Sequence, residues 1–193
     1  MLKIILCDSN EDDVKFIEST IRSIAQKNNY SIEIVLIASS PEEIINNIYE
    51  NQIYLYIIEI VYERSERDGV DLAKEIREKD RDSYIVFCTS ESQYIYRTLT
   101  GLIRPAGFLL KELNEDGRLE KIDGIHILLG DVYRDYLNIT NKNQEVLHIN
   151  IGAEIYKIEY RDILFIESFQ KKIYIHTYNQ RIGYYDSLAS LES

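Results

Sequence analysis

Short apolar runs alternate with amphipathic stretches along the first 112 residues of this 193-residue chain. The run Ile53–Ile60 is apolar almost throughout, which is typical of a strand covered on both faces. Because strand alternates with helix five times, we expect a doubly wound α/β fold with a five-stranded parallel sheet and right-handed crossovers. The predicted strands are Leu2–Cys7, Ser31–Ile37, Ile53–Ile60, Ser83–Cys88 and Ala106–Leu110.

The stretches between these runs have the spacing of helices. Val14, Ile17, Ile21 and Ile24 fall on one face of a helix predicted over Glu11–Gln26, because side chains three or four residues apart share a helical face.

A second helix is marked by its start signals. Ser40 is the predicted N-cap, Pro41 takes the first helical position and Glu43 follows three residues past the cap, as in a capping box. Further helices are predicted from Gly69 to about Lys79, from Glu91 to Leu99, and from about Glu112 into the 130s with a bend near Gly117 or Gly124.

The balance of charges argues against one class of protein. The chain carries 33 acidic and 22 basic side chains, a net charge of −11, which is unlike a nucleic-acid coat protein. Residues 1–130 hold 24 acidic and 15 basic side chains, a net charge of −9, whereas residues 131–193 hold 9 and 7, a net charge of −2. The small net charge of the second part therefore does not exclude contact between that part and phosphates.

The chain has no sequence signal for a membrane or for export. It lacks an apolar run of about 18 residues, the length that a membrane span needs, and Met1–Leu6 has no basic region or cleavage site of a signal peptide. We expect a cytoplasmic protein with no membrane partner. Cys7 and Cys88 each end an apolar run and are predicted to be core residues, and the three histidines lack the spacing of a zinc site.

Polar side chains follow four of the predicted strands. Asp8 comes after the first strand, Glu59 ends the third, Thr89 follows the fourth and Lys111 follows the fifth. Because ligands of open α/β sheets bind outside the carboxyl ends of the strands, we expect these side chains to converge on one crevice. Carboxylates can hold Mg²⁺, while a hydroxyl and an ammonium group can hold phosphoryl oxygens.

These segments resemble the receiver domains of response regulators over residues 1 to about 125. The resemblance implies a flavodoxin-like fold with strand order 2-1-3-4-5 and a sensor histidine kinase as partner. It also implies that Asp8 and the Glu59 position hold Mg²⁺, that Thr89 is the switch hydroxyl, Phe108 the switch aromatic and Lys111 the phosphate-sensing cation. The matching segments are Leu6–Asn10, Tyr56–Ile60, Asp68–Arg77, Phe87–Ser90 and Gly107–Lys111.

Three positions depart from the receiver pattern. Ser9 stands at the second acidic position, Glu59 stands where the family has its phospho-accepting aspartate, and Glu112 replaces a common proline. Glutamate is longer by one methylene, and catalytic geometry tolerates little displacement of a nucleophile. We therefore expect no switching by aspartyl phosphorylation and weakened Mg²⁺ binding. Glu59 is either a permanent partial mimic near Lys111 and Thr89 or a drifted residue in a folded domain.

From about Tyr136 the pattern changes to closely spaced strands, with Asn179-Gln180 at a hairpin turn. Glu154–Ser168 and Lys171–Thr177 resemble the LytTR class of DNA-binding domains, and Tyr184–Glu192 fits that family's turn into its helix. The resemblance covers about the first half of such a domain. It implies a mostly β fold that reads DNA through loops, here Ser168–Lys172, with Lys171 and Lys172 meeting phosphates.

The sequence thus predicts three segments. Residues 1–129 form the receiver, 130–143 a linker that continues its last helix, and 144–193 the N-terminal part of a LytTR-type domain. We expect a transcriptional regulator without enzyme activity, dimeric through the receiver face at about Glu91–Asp131. The alternative is a truncated receiver-based interaction module without strong DNA binding. A flavodoxin-like enzyme is disfavoured because Asp8-Ser9-Asn10 stands where a glycine-rich phosphate loop would be.

Overall fold

A six-stranded sheet organises the first part of the chain. The computed structural model describes residues 1–47, 52–62, 65–99, 102–142, 146–151 and 154–185. Its strands are β1 Leu2–Cys7, β2 Ile32–Ala38, β3 Tyr54–Ile58, β4 Tyr84–Thr89, β5 Gly107–Leu113 and β6 Leu119–Ile122. The strand order is β2-β1-β3-β4-β5-β6, and the first five strands are parallel. The α/β prediction and the order 2-1-3-4-5 are therefore confirmed.

Helices cover both faces of this sheet, and each face has its own apolar cluster. The helices are α1 Glu11–Asn28, α2 Pro41–Ile45, α3 Gly69–Lys79, α4 Ile95–Leu99 and α5 Ile125–Lys142. One cluster lies with α2 and α3 and includes Tyr56, Leu72 and Phe87, while the other lies with α1 and α5 and includes Leu55 and Ile21. The residues of β3 are all buried, as expected of a strand between two such layers.

The sixth strand is a correction to the sequence analysis. The helix predicted from Glu112 is wrong, because Glu112 lies in β5, β6 pairs antiparallel with β5, and α5 begins only at Ile125. A tight turn between β5 and β6 is the reason that this segment does not form a helix. Asn114 accepts hydrogen bonds on its side chain from the backbone N–H groups of Asp116 and Arg118, and Gly117 takes a left-handed φ of 75°.

The start of α2 also differs from the predicted capping box. Ser40 is the N-cap residue, but its side chain makes no capping hydrogen bond. The neighbouring Ser39 hydroxyl instead donates to Glu43 Oε1 at 2.7 Å. The residue before α1 behaves as a strong cap: Asn10 Oδ1 accepts from the N–H groups of Asp12 and Asp13 at 3.0 and 3.2 Å.

The chain divides into two compact units, Met1–Tyr136 and Leu137–Ser193, and the division falls within α5. In the second unit β7 Val146–Ile151 pairs with β8 Glu154–Glu159. A separate sheet has the order β11-β10-β9, built from β9 Ile163–Phe169, β10 Lys172–Thr177 and β11 Arg181–Tyr185. A β-rich second part is confirmed.

One face of the three-stranded sheet packs on the β7–β8 hairpin. The buried side chains that meet there are all aliphatic apart from one tyrosine: Leu147, Ile149, Ile158, Ile173, Ile175, Ile182 and Tyr184. The turn at Asn179-Gln180 is confirmed, since the N–H of Thr177 donates to the carbonyl of Gln180 at 2.9 Å. The prediction of a turn into a helix over Tyr184–Glu192 falls, beyond Tyr185, outside the described residues.

No helix in the described parts of the chain has both the length and the apolarity that crossing a bilayer requires.

Candidate functional site

The carboxyl ends of four strands open into one cavity of about 470 Å³. Asp8 follows β1, Glu59 follows β3, Thr89 ends β4 and Lys111 lies within β5. Parallel strands bring these positions to one edge of the sheet. The lining residues are Asp8, Ser9, Asn10, Asp13, Glu59, Val61, Thr89, Ser90, Glu91, Lys111, Leu113 and Gly117.

The ammonium group of Lys111 lies at the centre of this site. Its Nζ is 2.5 Å from Asp8 Oδ2, 2.8 Å from Asp13 Oδ2 and 2.7 Å from Glu59 Oε2. The Lys111 side chain is 2% exposed and the three carboxylates are 5–10% exposed. With all four groups ionised, the cluster holds three negative charges and one positive charge. We call these four residues the Lys111 cluster.

Asp13 is the member of the cluster that sequence analysis missed. It lies in the first turn of α1, four residues before the buried Ile17 and eight before the buried Ile21. Positions four apart share a helical face, so this spacing was the available signal. Asp13 thus provides the second acidic group that Ser9 does not.

Glu59 is held at both ends of its carboxylate. Oε2 faces Lys111, while Oε1 accepts from the backbone N–H of Ile60 at 2.6 Å and of Val61 at 3.3 Å. The backbone is fixed too, because a Cβ added to Gly69 would lie 2.1 Å from the carbonyl oxygen of Glu59. Only glycine at the start of α3 permits this close approach.

Burial and charge act against each other in the cluster. Burial disfavours the charged form of Lys111, but attraction to the carboxylates of Glu59 and Asp8 outweighs it and raises the pKa of Lys111. Burial raises the pKa of Asp8, and the attraction of Lys111 opposes that rise only in part. Lys111 therefore stays protonated at neutral pH, and its charge is what makes the buried carboxylates tolerable.

The other predicted switch residues lie apart from the cluster. Thr89 is fully buried and lines the cavity, and its hydroxyl accepts from the N–H of Glu91 at 3.3 Å. Within the described residues, no hydrogen bond joins Thr89 to Glu59 or Lys111. Phe108 is half-buried and packs against the apolar cluster on the α2–α3 face, so it is not part of the cavity lining.

Carboxylate oxygens are the donors that Mg²⁺ prefers, but their arrangement here suits a different cation. Lys111 Nζ occupies the point on which the three carboxylates converge. Among the residues that the structure describes, no group of three or more acidic, histidine or cysteine side chains is placed to hold a metal ion. The residues as arranged fit an ammonium group, and Mg²⁺ at Asp8 and Glu59 stays a prediction.

The two lysines predicted to meet DNA lie at the β9–β10 hairpin. Lys171 is exposed in the turn, where it and Gln170 have φ values of 63° and 51°. Left-handed backbone at a residue with a Cβ costs roughly 1–2 kcal/mol. Lys172 begins β10, and its Nζ lies 4.5 Å from the ring centre of Tyr185. Neither lysine forms an ion pair within the described parts of the chain.

Comparison with known proteins gives matches to both parts of the chain. Residues 153–193 match the family model described as the LytTr DNA-binding domain. The accessory gene regulator protein A of Staphylococcus epidermidis is 26% identical over 195 residues, which cover 98% of this chain and 79% of that protein. The protein of the same name from Staphylococcus aureus is 25% identical over the same shares of both chains.

Solved structures match about three quarters of the chain in fold. The receiver domain of AraT, a response regulator from Geobacillus stearothermophilus, has a TM-score of 0.51 at 18% identity and covers 75% of this chain and 98% of its own. The response regulatory domain of mrkE from Klebsiella pneumoniae has a TM-score of 0.53 at 17% identity and covers 71% and 99%. At these identities the likeness concerns the fold.

The Lys111 cluster generates a prediction about stability. Lys111→Met removes the counter-ion of three buried carboxylates, so we expect the free energy of unfolding at pH 7 to fall by about 3–5 kcal/mol. The matched control is Lys121→Met on the same hairpin, where the ion pair with Glu112 is exposed and a small change is expected. Urea unfolding of both variants measures the difference.

The stability that Lys111→Met loses should also depend on pH, and the direction of that dependence can be worked out. Without Lys111, the pKa of Asp8 rises further above its unfolded value. A carboxyl group with a raised folded-state pKa binds its proton more readily in the folded chain, so folding is favoured as pH falls toward about 3.9. The deficit of Lys111→Met should therefore shrink between pH 7 and pH 5. A deficit equal to that of Lys121→Met, or one independent of pH, would contradict this interpretation of the cluster.

Proposed function

We propose that this chain, a response regulator with a receiver domain followed by a LytTR DNA-binding segment, regulates transcription without being switched by phosphorylation of its receiver. The observation that carries the proposal is the buried contact of 2.7 Å between Glu59 Oε2 and Lys111 Nζ. A permanent carboxylate occupies the position at which the resemblance places the phospho-acceptor. It already engages the lysine that the same resemblance assigns to sensing phosphate.

The length of the glutamate side chain supports the loss of switching. One extra methylene moves the carboxylate by about one carbon–carbon bond, roughly 1.5 Å, and this brings it to Lys111. Both oxygens of Glu59 are then occupied, one by Lys111 and one by the N–H groups of Ile60 and Val61. A nucleophile bound in this way is poorly placed for in-line attack on a phosphoryl donor.

Glu59 makes only one of the two contacts expected of a phosphate mimic. It reaches Lys111, whereas Thr89 is hydrogen-bonded to the backbone of Glu91. We infer a receiver fixed in one state, in which the lysine is engaged and the hydroxyl is not. Mg²⁺ would be held by Asp8, Asp13 and Glu59 only if Lys111 withdrew from them, so the ammonium group takes the place of the metal charge.

A cytoplasmic location and the absence of enzyme activity belong to the same proposal. A sensor histidine kinase, the partner implied by the receiver resemblance, would then dock without transferring a phosphoryl group.

The DNA contact is assigned to the β9–β10 hairpin, where Lys171 is exposed and Lys172 has no carboxylate partner among the described residues.

The DNA contact is testable with Lys171→Ala/Lys172→Ala. On a duplex selected from a random-sequence pool by the full chain, we expect weaker binding and a smaller salt dependence. The slope of log K against log salt is negative, and its magnitude should fall by about 1.8 if both lysines neutralise phosphates. Fluorescence anisotropy measures both quantities, and Lys157→Ala, an exposed lysine on β8, is the matched control.

Two results would count against this proposal. If the double variant bound the duplex as Lys157→Ala does, the hairpin would not be the contact. If a small phosphodonor strengthened duplex binding by the unmodified chain, switching would be intact. A chain that selected no duplex at all would favour the interaction-module function instead.

A receiver-mediated homodimer is the last part of the proposal. Tyr96, Leu99 and Leu102 are 77%, 66% and 80% exposed in and after α4, and apolar exposure of this kind marks association surfaces. We expect the chain to sediment as a dimer and Leu99→Glu to sediment as a monomer, because a buried unpaired charge opposes association. Val35→Glu, on the exposed side of β2, is the control. A dimeric Leu99→Glu would rule out this face.

A further inference from the structure

The three-stranded sheet of the second unit has a second face that does not pack on the β7–β8 hairpin. Residues directly opposite one another in an antiparallel pair lie on the same face. The register therefore arranges this outer face in three rows across β9, β10 and β11. The rows are Phe169–Lys172–Tyr185, Glu167–Tyr174–Gly183 and Phe165–His176–Arg181.

Aromatic rings dominate the outer face and several are open to solvent. Phe165, Phe169 and Tyr185 are 53%, 60% and 75% exposed. Phe165 stacks on His176 with ring centres 4.1 Å apart and planes inclined by 14°. Flat, exposed rings on a rigid sheet are platforms for planar ligands, because neither partner loses much conformational freedom on stacking.

Two cations are held against these rings. The guanidinium of Arg181 lies 3.9 Å from the ring centre of Tyr174, and Lys172 Nζ lies 4.5 Å from that of Tyr185. The Tyr174 ring lies over Gly183, where an added Cβ would come within 2.7 Å of it. Lys172 keeps its full charge beside its ring and is oriented for an anion. Arg181 also pairs with Glu167 Oε1 at 3.1 Å, but its side chain is 52% exposed, which leaves room for a second anion.

The local charge is opposite in sign to that of the whole chain. Lys172 and Arg181 on the face and Lys171 in the adjoining turn stand against a single carboxylate, Glu167, which gives a net charge of +2. The chain carries −11. A basic patch in an acidic protein favours a polyanionic ligand over an acidic or neutral surface.

We propose that the outer face of the β9–β10–β11 sheet binds single-stranded nucleic acid, with bases stacked on Phe169 and Tyr185 and phosphates at Lys172 and Arg181. Alternating rings and cations are the features that single-strand binding surfaces combine. The rows of Lys172 and Arg181 lie four residues apart along β10, which is about 13 Å, so the two cations can meet different phosphates of one strand. The face shares Lys172 with the β9–β10 hairpin that we assign to duplex DNA, so the variants that test it leave this lysine unchanged.

The test uses the full chain and a short fluorescein-labelled oligothymidylate, followed by anisotropy. Phe169→Ala/Tyr185→Ala should weaken binding by at least about tenfold, since each of the two stacked bases contributes about fivefold or more. Tyr185→Phe, which keeps the ring, should bind as the unmodified chain does. Tyr160→Ala removes an exposed tyrosine outside the face and is the matched control.

Salt dependence tests the phosphate contacts separately. The unmodified chain should give a slope of log K against log salt of about −1.4 for two phosphates, and Arg181→Gln should reduce its magnitude by about 0.7.

The proposal is overturned if the oligothymidylate does not bind, or if Phe169→Ala/Tyr185→Ala binds it as Tyr160→Ala does. Equal competition by polyglutamate of matched charge would also overturn it, because the partner would then be an acidic polypeptide. Lys171 and Lys172 stay unchanged in these variants, so duplex binding by the hairpin is assessed independently.

Discussion

Lys111 places one positive charge between three carboxylates that come from α1, from the end of β1 and from the end of β3. Each carboxylate is buried, and an unpaired buried charge is among the most costly features that a folded chain can contain. The cluster therefore ties the edge of the sheet and the start of α1 to a single side chain. The three carboxylates converge on that ammonium group, so a metal ion would reach them only if Lys111 withdrew.

The neighbourhood of the cluster is built to keep Glu59 in place. The close approach of Gly69 fixes its backbone, and the N–H groups of Ile60 and Val61 fix the oxygen that does not face Lys111. The β5–β6 hairpin adds Leu113 and Gly117 to the wall of the same cavity. A carboxylate held on all sides is suited to a permanent state, whereas a switch requires a group that changes its partners.

Much of the fold follows from the apolar pattern of the sequence. The parallel strands include short apolar runs such as Leu2–Cys7 and Tyr84–Thr89, whose length and β-branched residues favour a buried strand. The hairpin was missed because Glu112–Glu120 is rich in helix-forming residues, and the Asn114–Gly117 turn outweighs that propensity through side-chain and left-handed backbone geometry. Asp13 was missed because its role depends on its contact with Lys111 of β5, a tertiary relation that spacing in the chain only suggests. Which rings and cations lie side by side on the outer face of the β9–β10–β11 sheet depends on how the strands pair. The alternation of apolar and polar residues does not fix that register.

Intact-mass spectrometry after incubation with a small phosphodonor and Mg²⁺ tests the central claim most directly. Unmodified chain and Glu59→Asp are treated in parallel, because aspartate withdraws the carboxylate from Lys111 by about one bond length and restores the residue that the receiver family uses. The structure predicts one added phosphoryl group in Glu59→Asp and none in the unmodified chain. A phosphoryl group on the unmodified chain would contradict the claim, since Glu59 would then be no barrier to switching.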